Sequence, residues 1–165
     1  MGLRRVPALA GATVLAVVGA DVASKVLVRS DLARGGEREL VGQLVQLVHV
    51  ENAGVAFGQL SHSPLLIAGF VAAALAGLLV YFARHQETDA VWLPTGMLVG
   101  GAIGNALDRA RGGAVTDFVK VPYWPAFNVA DIAITLGVIV LVIVVERDTR
   151  DRDEPEEPRG HPDHS

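Results

Sequence analysis

"PAFNVADIAITLGVIVLVIVVE", Pro125 to Glu146, decides how the rest of the chain is read. From Ile132 to Val145 it carries no charged residue. A membrane-spanning helix needs about 20 mostly apolar residues, and this stretch supplies them. Just ahead of the apolar run stand Asn128 and Asp131, three positions apart and so on one face of a helix. Upstream, "GGAVTDFV" places another carboxylate, Asp117, in the connecting loop. Ionisable groups at membrane depth are costly and are functional candidates by default.

Three more windows of the same grade precede it, at residues 6–28, 63–83 and 90–106. Hydrophobic residues make up 51% of the 165. Four such windows would leave a soluble protein almost no polar surface. The expected fold is therefore an all-α membrane protein with four transmembrane helices. The first window also fits a secretory signal, with Arg4 and Arg5 ahead of an apolar core and Val18-Gly19-Ala20 as a cleavage-like site. Against that, "DVASKVLV" continues the helical pattern, with Asp21 and Lys25 spaced as an i,i+4 pair, acid first.

The net charge of −4 lies in the tail, where residues 146–165 hold eight acidic and four basic residues. The remainder is neutral and has no basic patch for nucleic acid. There is no cysteine, hence no disulfide or thiolate site. Residues 147–165 are mixed in charge and proline-bearing, and are expected to be a disordered cytoplasmic tail after a single domain at 1–146. His161 and His164 in that tail read as solvated rather than metal-binding. Seven basic residues on the side of the termini against six opposite place both termini in the cytoplasm.

Gly96, Gly100 and Gly104 repeat every four residues, as do Ala68, Ala72 and Ala76, a spacing that lets helices approach closely in lipid. On this topology the polar residues converge at one membrane surface. Asp21 and Lys25 end the first span, and Asn105, Asp108 and Arg109 end the third. Asp117 follows, and Asn128 and Asp131 open the fourth. Residues 29–62 are the least membrane-like. Within them "LVQLVHVENAGVAFG" reads as short strands with a turn near Asn52-Ala53-Gly54, a small β-platform over the polar site.

These residues fall into five ordered boxes: Asp21-x-x-x-Lys25; Asn52-x-Gly54-x-Ala56-Phe57; Gly100-Gly101-x-x-Gly104-Asn105-x-x-Asp108-Arg109; Val115-x-Asp117-Phe118; and Phe127-Asn128-x-Ala130-Asp131. In this the chain resembles the lipoprotein signal peptidase family, also called signal peptidase II. The resemblance runs from Asp21 to about Val145. It implies an intramembrane aspartic endopeptidase with four transmembrane helices, an extracytoplasmic β-cradle and a short amphipathic helix. It implies Asp117 and Asp131 as the catalytic pair. Asn52, Gly54, Arg109, Asn128 and Ala130 would lie around substrate and pair, with Asp21, Lys25, Asn105 and Asp108 as a supporting polar shell. The implied substrate is a prolipoprotein carrying diacylglycerol on its lipobox cysteine, cut just before that cysteine. The implied setting is the bacterial cytoplasmic membrane among its lipids, with the active site near the extracytoplasmic face. A monomer is expected, with no cofactor and no metal.

Elementary chemistry agrees with that reading. Two close carboxylates do not both ionise cheaply, so one keeps a proton and the other can deprotonate water. Read from the residues alone, several pairings stand, Asp117 with Asp131 or Asp108 with either, and the base is unassigned. The rival from another class is a small four-helix transporter, which would place its carboxylates near the midplane. A purely structural membrane subunit leaves the polar convergence unexplained.

Overall fold

The computed structural model describes residues 5–53 and 90–153. The second expected span, with Ala68, Ala72 and Ala76, lies outside the described residues, as does Gly54. Three helices are described: α1 (Arg5–Asp31), α2 (Trp92–Gly112) and α3 (Val129–Asp153). Three strands accompany them: β1 (Glu37–Val41), β2 (Val45–Asn52) and β3 (Val115–Lys120). No short amphipathic helix occurs among the described residues.

Two of these helices are long and apolar enough to cross a membrane, over Pro7–Asp31 with mean hydropathy 1.7 and Val129–Arg147 with 2.6. Their apolar side chains are largely turned outward. Leu15 is 75% exposed and Val142 59%, an arrangement unlike the buried core helix of a soluble protein. Such surfaces are stable against lipid, where a helix satisfies its own backbone groups. α2 is less apolar, because its second half carries Asn105, Asp108, Arg109 and Arg111.

α2 packs against both neighbours through its glycines, as their spacing predicts. A Cβ added to Gly96 would sit 2.5 Å from Thr13 Cβ, and one on Gly100 2.8 Å from Val17 Cβ. On the other face, a Cβ on Gly101 would lie 2.6 Å from the Ala130 carbonyl oxygen. Glycine here brings α1 and α3 against the α2 backbone. α2 ends at Gly113, whose φ of 76° closes the helix while its N–H bonds the Arg109 carbonyl.

The strands form one antiparallel sheet in the order β1-β2-β3. The sheet corrects one expectation, the placement of Asp117. The hairpin turn lies at Gly42–Leu44, where Gly42 has φ 50° and the Leu44 N–H bonds the Val41 carbonyl. β2 ends at Asn52, where the expected turn near Asn52-Ala53-Gly54 begins, with Gly54 outside the described residues. Along its length β2 pairs with a strand distant in sequence. That strand is β3, so Asp117 sits on a strand and not in a loop. Its register with β2 shifts between Leu47 and Val50, where β2 holds one residue more than β3. β2 is tied to the end of α1 by the His49 ring, whose Nδ1 lies 2.8 Å from the Leu32 carbonyl oxygen. A carbonyl only accepts, so Nδ1 carries the proton.

A second correction concerns the tail. Helix α3 continues to Asp153, seven residues past the expected boundary at Glu146. Arg150 and Glu146 pair across one turn there at 2.6 Å, which is the i,i+4 spacing that supports a solvated helix.

Candidate active site

Each helix delivers polar groups to the same end of the bundle, and short-range sequence rules place most of them. Asn128 is the N-cap of α3. Its Oδ1 accepts the Asp131 N–H at 3.0 Å, and Asp131 Oδ2 accepts the Asn128 N–H at 3.2 Å. This reciprocal box fixes both side chains and satisfies two of the helix's open donors. Asp21 supplies a third cap from another helix, accepting the Ala130 N–H at 2.9 Å. Ala130 thus enters through its backbone.

The cap also aims the Asn128 amide. With Oδ1 engaged, Nδ2 donates to Asp117 Oδ1 at 2.7 Å and to Asn105 Oδ1 at 3.2 Å. Asn105 in turn donates from Nδ2 to Asp131 Oδ1 at 2.9 Å. Asn52, at the end of β2, donates to Asp117 Oδ2 at 3.0 Å. Every oxygen of Asp117 and Asp131 therefore accepts a bond, and Asn128 touches both residues. Asp108 bonds neither one and instead faces Lys25, Arg29 and the Thr116 N–H.

Lys25 is 1% exposed, and its three protons have three acceptors. Nζ lies 2.7 Å from Asp21 Oδ2, 3.1 Å from Asp108 Oδ2 and 3.1 Å from Asn105 Oδ1. The expected Asp21–Lys25 pair is thus formed and extended to α2. Fully partnered, these buried charges hold the helix ends together, since removing one partner strands the other.

Asp117 is 3% exposed. Burial pushes its carboxyl above the ordinary range, the bonds from Asn52 and Asn128 pull it back, and the Asp131 charge pushes it further up. A buried acid inclined to keep its proton, beside a second carboxylate in the first turn of a helix, can divide acid and base roles. Among the described residues, no group of three or more His, Cys, Asp or Glu is placed to hold a metal ion.

Arg109 is exposed in the last turn of α2, and its side chain makes no hydrogen bond or ion pair to another described residue. At 3.6 residues per turn, Asp108 and Arg109 stand about 100° apart, on opposite sides of the Asn105 direction. Only Asp108 turns inward. Two residues with no part in the sequence reading of the site do enter it. Arg29 donates to Thr116 Oγ1 and to Asp108 Oδ1, the latter at 2.6 Å. The β-branched run Val115-Thr116 followed by Phe118-Val119 was the available signal for β3.

Fold and site together define an integral membrane protein with an amide-held carboxylate pair, one member buried and the other half-buried, at one end of its helices. The family model for signal peptidase (SPase) II, Peptidase_A8, matches residues 13–146, and the chain belongs to that family of proteases. It is similar to the lipoprotein signal peptidase of Halothermothrix orenii, 32% identical over 79% of this chain and 90% of the relative. That of Symbiobacterium thermophilum is 36% identical over 81% and 95%. A solved structure described as a bacterial membrane enzyme, determined in meso at 2.3 Å, superimposes with a TM-score of 0.78. It is 26% identical and matches over 90% of this chain and 93% of its own.

Proposed function

We propose that the protein removes signal peptides from diacylglyceryl-modified prolipoproteins as an aspartic endopeptidase, cutting just before the lipidated cysteine. The observation that carries this reading is the Asn128 bridge, which binds Asp117 through its side chain and Asp131 through its backbone and cap. Family membership and the names of the relatives supply the substrate class.

In the proposed reaction Asp117 holds a proton, in line with its burial, and polarises the scissile carbonyl oxygen. Asp131 takes a proton from the attacking water as its oxygen adds to the carbonyl carbon. The tetrahedral intermediate then collapses, the C–N bond breaks, and the proton that Asp131 took from water passes to the leaving amine of the cysteine. Asn105, Asn128 and Asn52 keep both carboxyls oriented throughout. Arg109, Asn52 and Gly54 are assigned to substrate contacts, and Asp21, Lys25 and Asp108 to support. The enzyme would work as a monomer in the bacterial cytoplasmic membrane, with the site at the extracytoplasmic face.

The lipid is part of the recognition. The pair stands where helices leave the bilayer, so the acyl chains remain in lipid while the peptide enters. Each buried methylene contributes about 0.8 kcal/mol, which anchors the substrate and sets the cleavage register. Purified protein is expected to cut a lipidated lipobox peptide at the bond before the cysteine, and the unlipidated peptide far more slowly. Equal rates for the two peptides would refute lipid recognition, and no cleavage of either would refute the reading itself.

A further inference from the structure

We propose that Arg29 and Thr116 are positioning residues that lock strand β3 so that Asp117 presents its carboxyl to the scissile bond, an inference that rests on the protease reading above. Neither residue belongs to the five boxes, and Thr116 occupies the open place between Val115 and Asp117.

Successive residues of a strand point to opposite faces. Asp117 faces Asn52 and Asn128, while Thr116 faces the ends of α1 and α2. There it is held three times. Its Oγ1 accepts from Arg29 Nε at 2.9 Å and from Arg29 Nη2 at 2.7 Å, and its N–H donates to Asp108 Oδ2 at 3.1 Å. The same Nη2 reaches Asp108 Oδ1 at 2.6 Å, closing a triangle. Thr116 is 1% exposed, so its own oxygen and N–H are shielded from water, while the Arg29 side chain, 35% exposed, closes over them from outside.

The strand needs such a lock at this point. Its ladder to β2 is irregular between Leu47 and Val50, the residues opposite Val119 and Asp117. A slip of one residue would turn Asp117 to the wrong face, and the irregularity, at Phe118, is next to the aspartate. The clamp instead ties the preceding residue to two helix ends that are themselves joined through Lys25. A guanidinium suits the task because its planar fork spans hydroxyl and carboxylate together, which an ammonium does not reproduce.

The test is Thr116→Val in the full-length protein, assayed on a lipidated lipobox peptide with rates normalised to folded protein. Valine keeps the β-branched shape and the backbone bond to Asp108 but removes the acceptor. The expected result is a fall in kcat of about 10- to 100-fold, the scale of a small misplacement of a reacting group, with KM unchanged. Thr116→Ser, which retains the oxygen, is expected to restore kcat. A lipidated peptide with a hydroxyethylene in place of the scissile amide mimics the tetrahedral intermediate. Its affinity is expected to drop by the same factor as kcat, which a lower folded fraction alone would not produce. Should Thr116→Val fail to fold, Arg29→Lys carries the same expectations. An unchanged kcat, or a loss with unaltered affinity for the mimic, overturns the inference. If the unsubstituted protein does not cleave, the protease reading falls, and this inference with it.

Discussion

Asp117 accepts a hydrogen bond on each carboxyl oxygen, yet burial and the charge on Asp131 still lift it above the ordinary carboxylate range. Its folded state therefore holds a proton that the unfolded state, titrating near pH 3.9, has already lost. Between the two ranges stability falls as pH rises, because the folded protein binds the extra proton. Asp117→Asn removes that dependence. Thermal unfolding of both proteins from about pH 4 to 7 should show the wild type losing stability relative to the variant with rising pH. A difference that does not move with pH would discard the raised carboxyl. In single-turnover assays, Asp117→Asn and Asp131→Asn are each expected to abolish cleavage while lipidated substrate still binds. The double variant should be little worse than either, as residues acting as a unit are not additive. Asp108 is bonded to Lys25, Arg29 and Thr116 rather than to the pair. Asp108→Asn should therefore cost stability, by about 3–5 kcal/mol for breaking a buried ion pair, and leave residual turnover. A dead Asp108 variant with native stability would return it to the catalytic pair.

Helix α2 is the element on which the others are set. Gly96 faces three atoms of α1 within 3 Å of its would-be Cβ, one of them the Ala10 carbonyl oxygen. Backbone cannot rotate away as a side chain can, so Gly96→Ala must push the helices apart. The expected loss is roughly 1–3 kcal/mol, the scale of overpacking, read by unfolding in detergent. Gly112 lies in the same helix with nothing within 4 Å of its Cβ position. Gly112→Ala is expected to be neutral or slightly stabilising, since alanine loses less chain entropy. Equal effects at both positions would show that the glycines do not set the helix spacing.

At the scale of the whole molecule, the site and the tail lie at opposite ends of α3. Asp131 stands in its first turn and the helix runs on to Asp153. At 1.5 Å per residue, the 22 steps between them span about 33 Å. A chain ending after Asp153 keeps α3 whole and is expected to insert and cleave as the full-length protein does. A large loss of turnover in a truncated protein that inserts normally would assign the last residues a role in the reaction.

What the sequence determined by itself is what local spacing can express. The apolar windows became α1 and α3 because length and hydropathy are properties of contiguous residues. Asp21 with Lys25, and Asn128 with Asp131, follow from one helical turn of separation, and the glycine spacing follows from one helix face. The tertiary structure decided the rest. β3 is a strand because β2 pairs with it across more than 60 residues, and that pairing put Asp117 in a sheet where the sequence offered a loop. Arg29 meets Thr116 at a separation of 87 residues, and Lys25 meets Asn105 at 80. Such partners are brought together by helix packing on α2, and no spacing along the chain encodes them. Of the neighbours Asp108 and Arg109, only the direction of packing told which one turns toward the site.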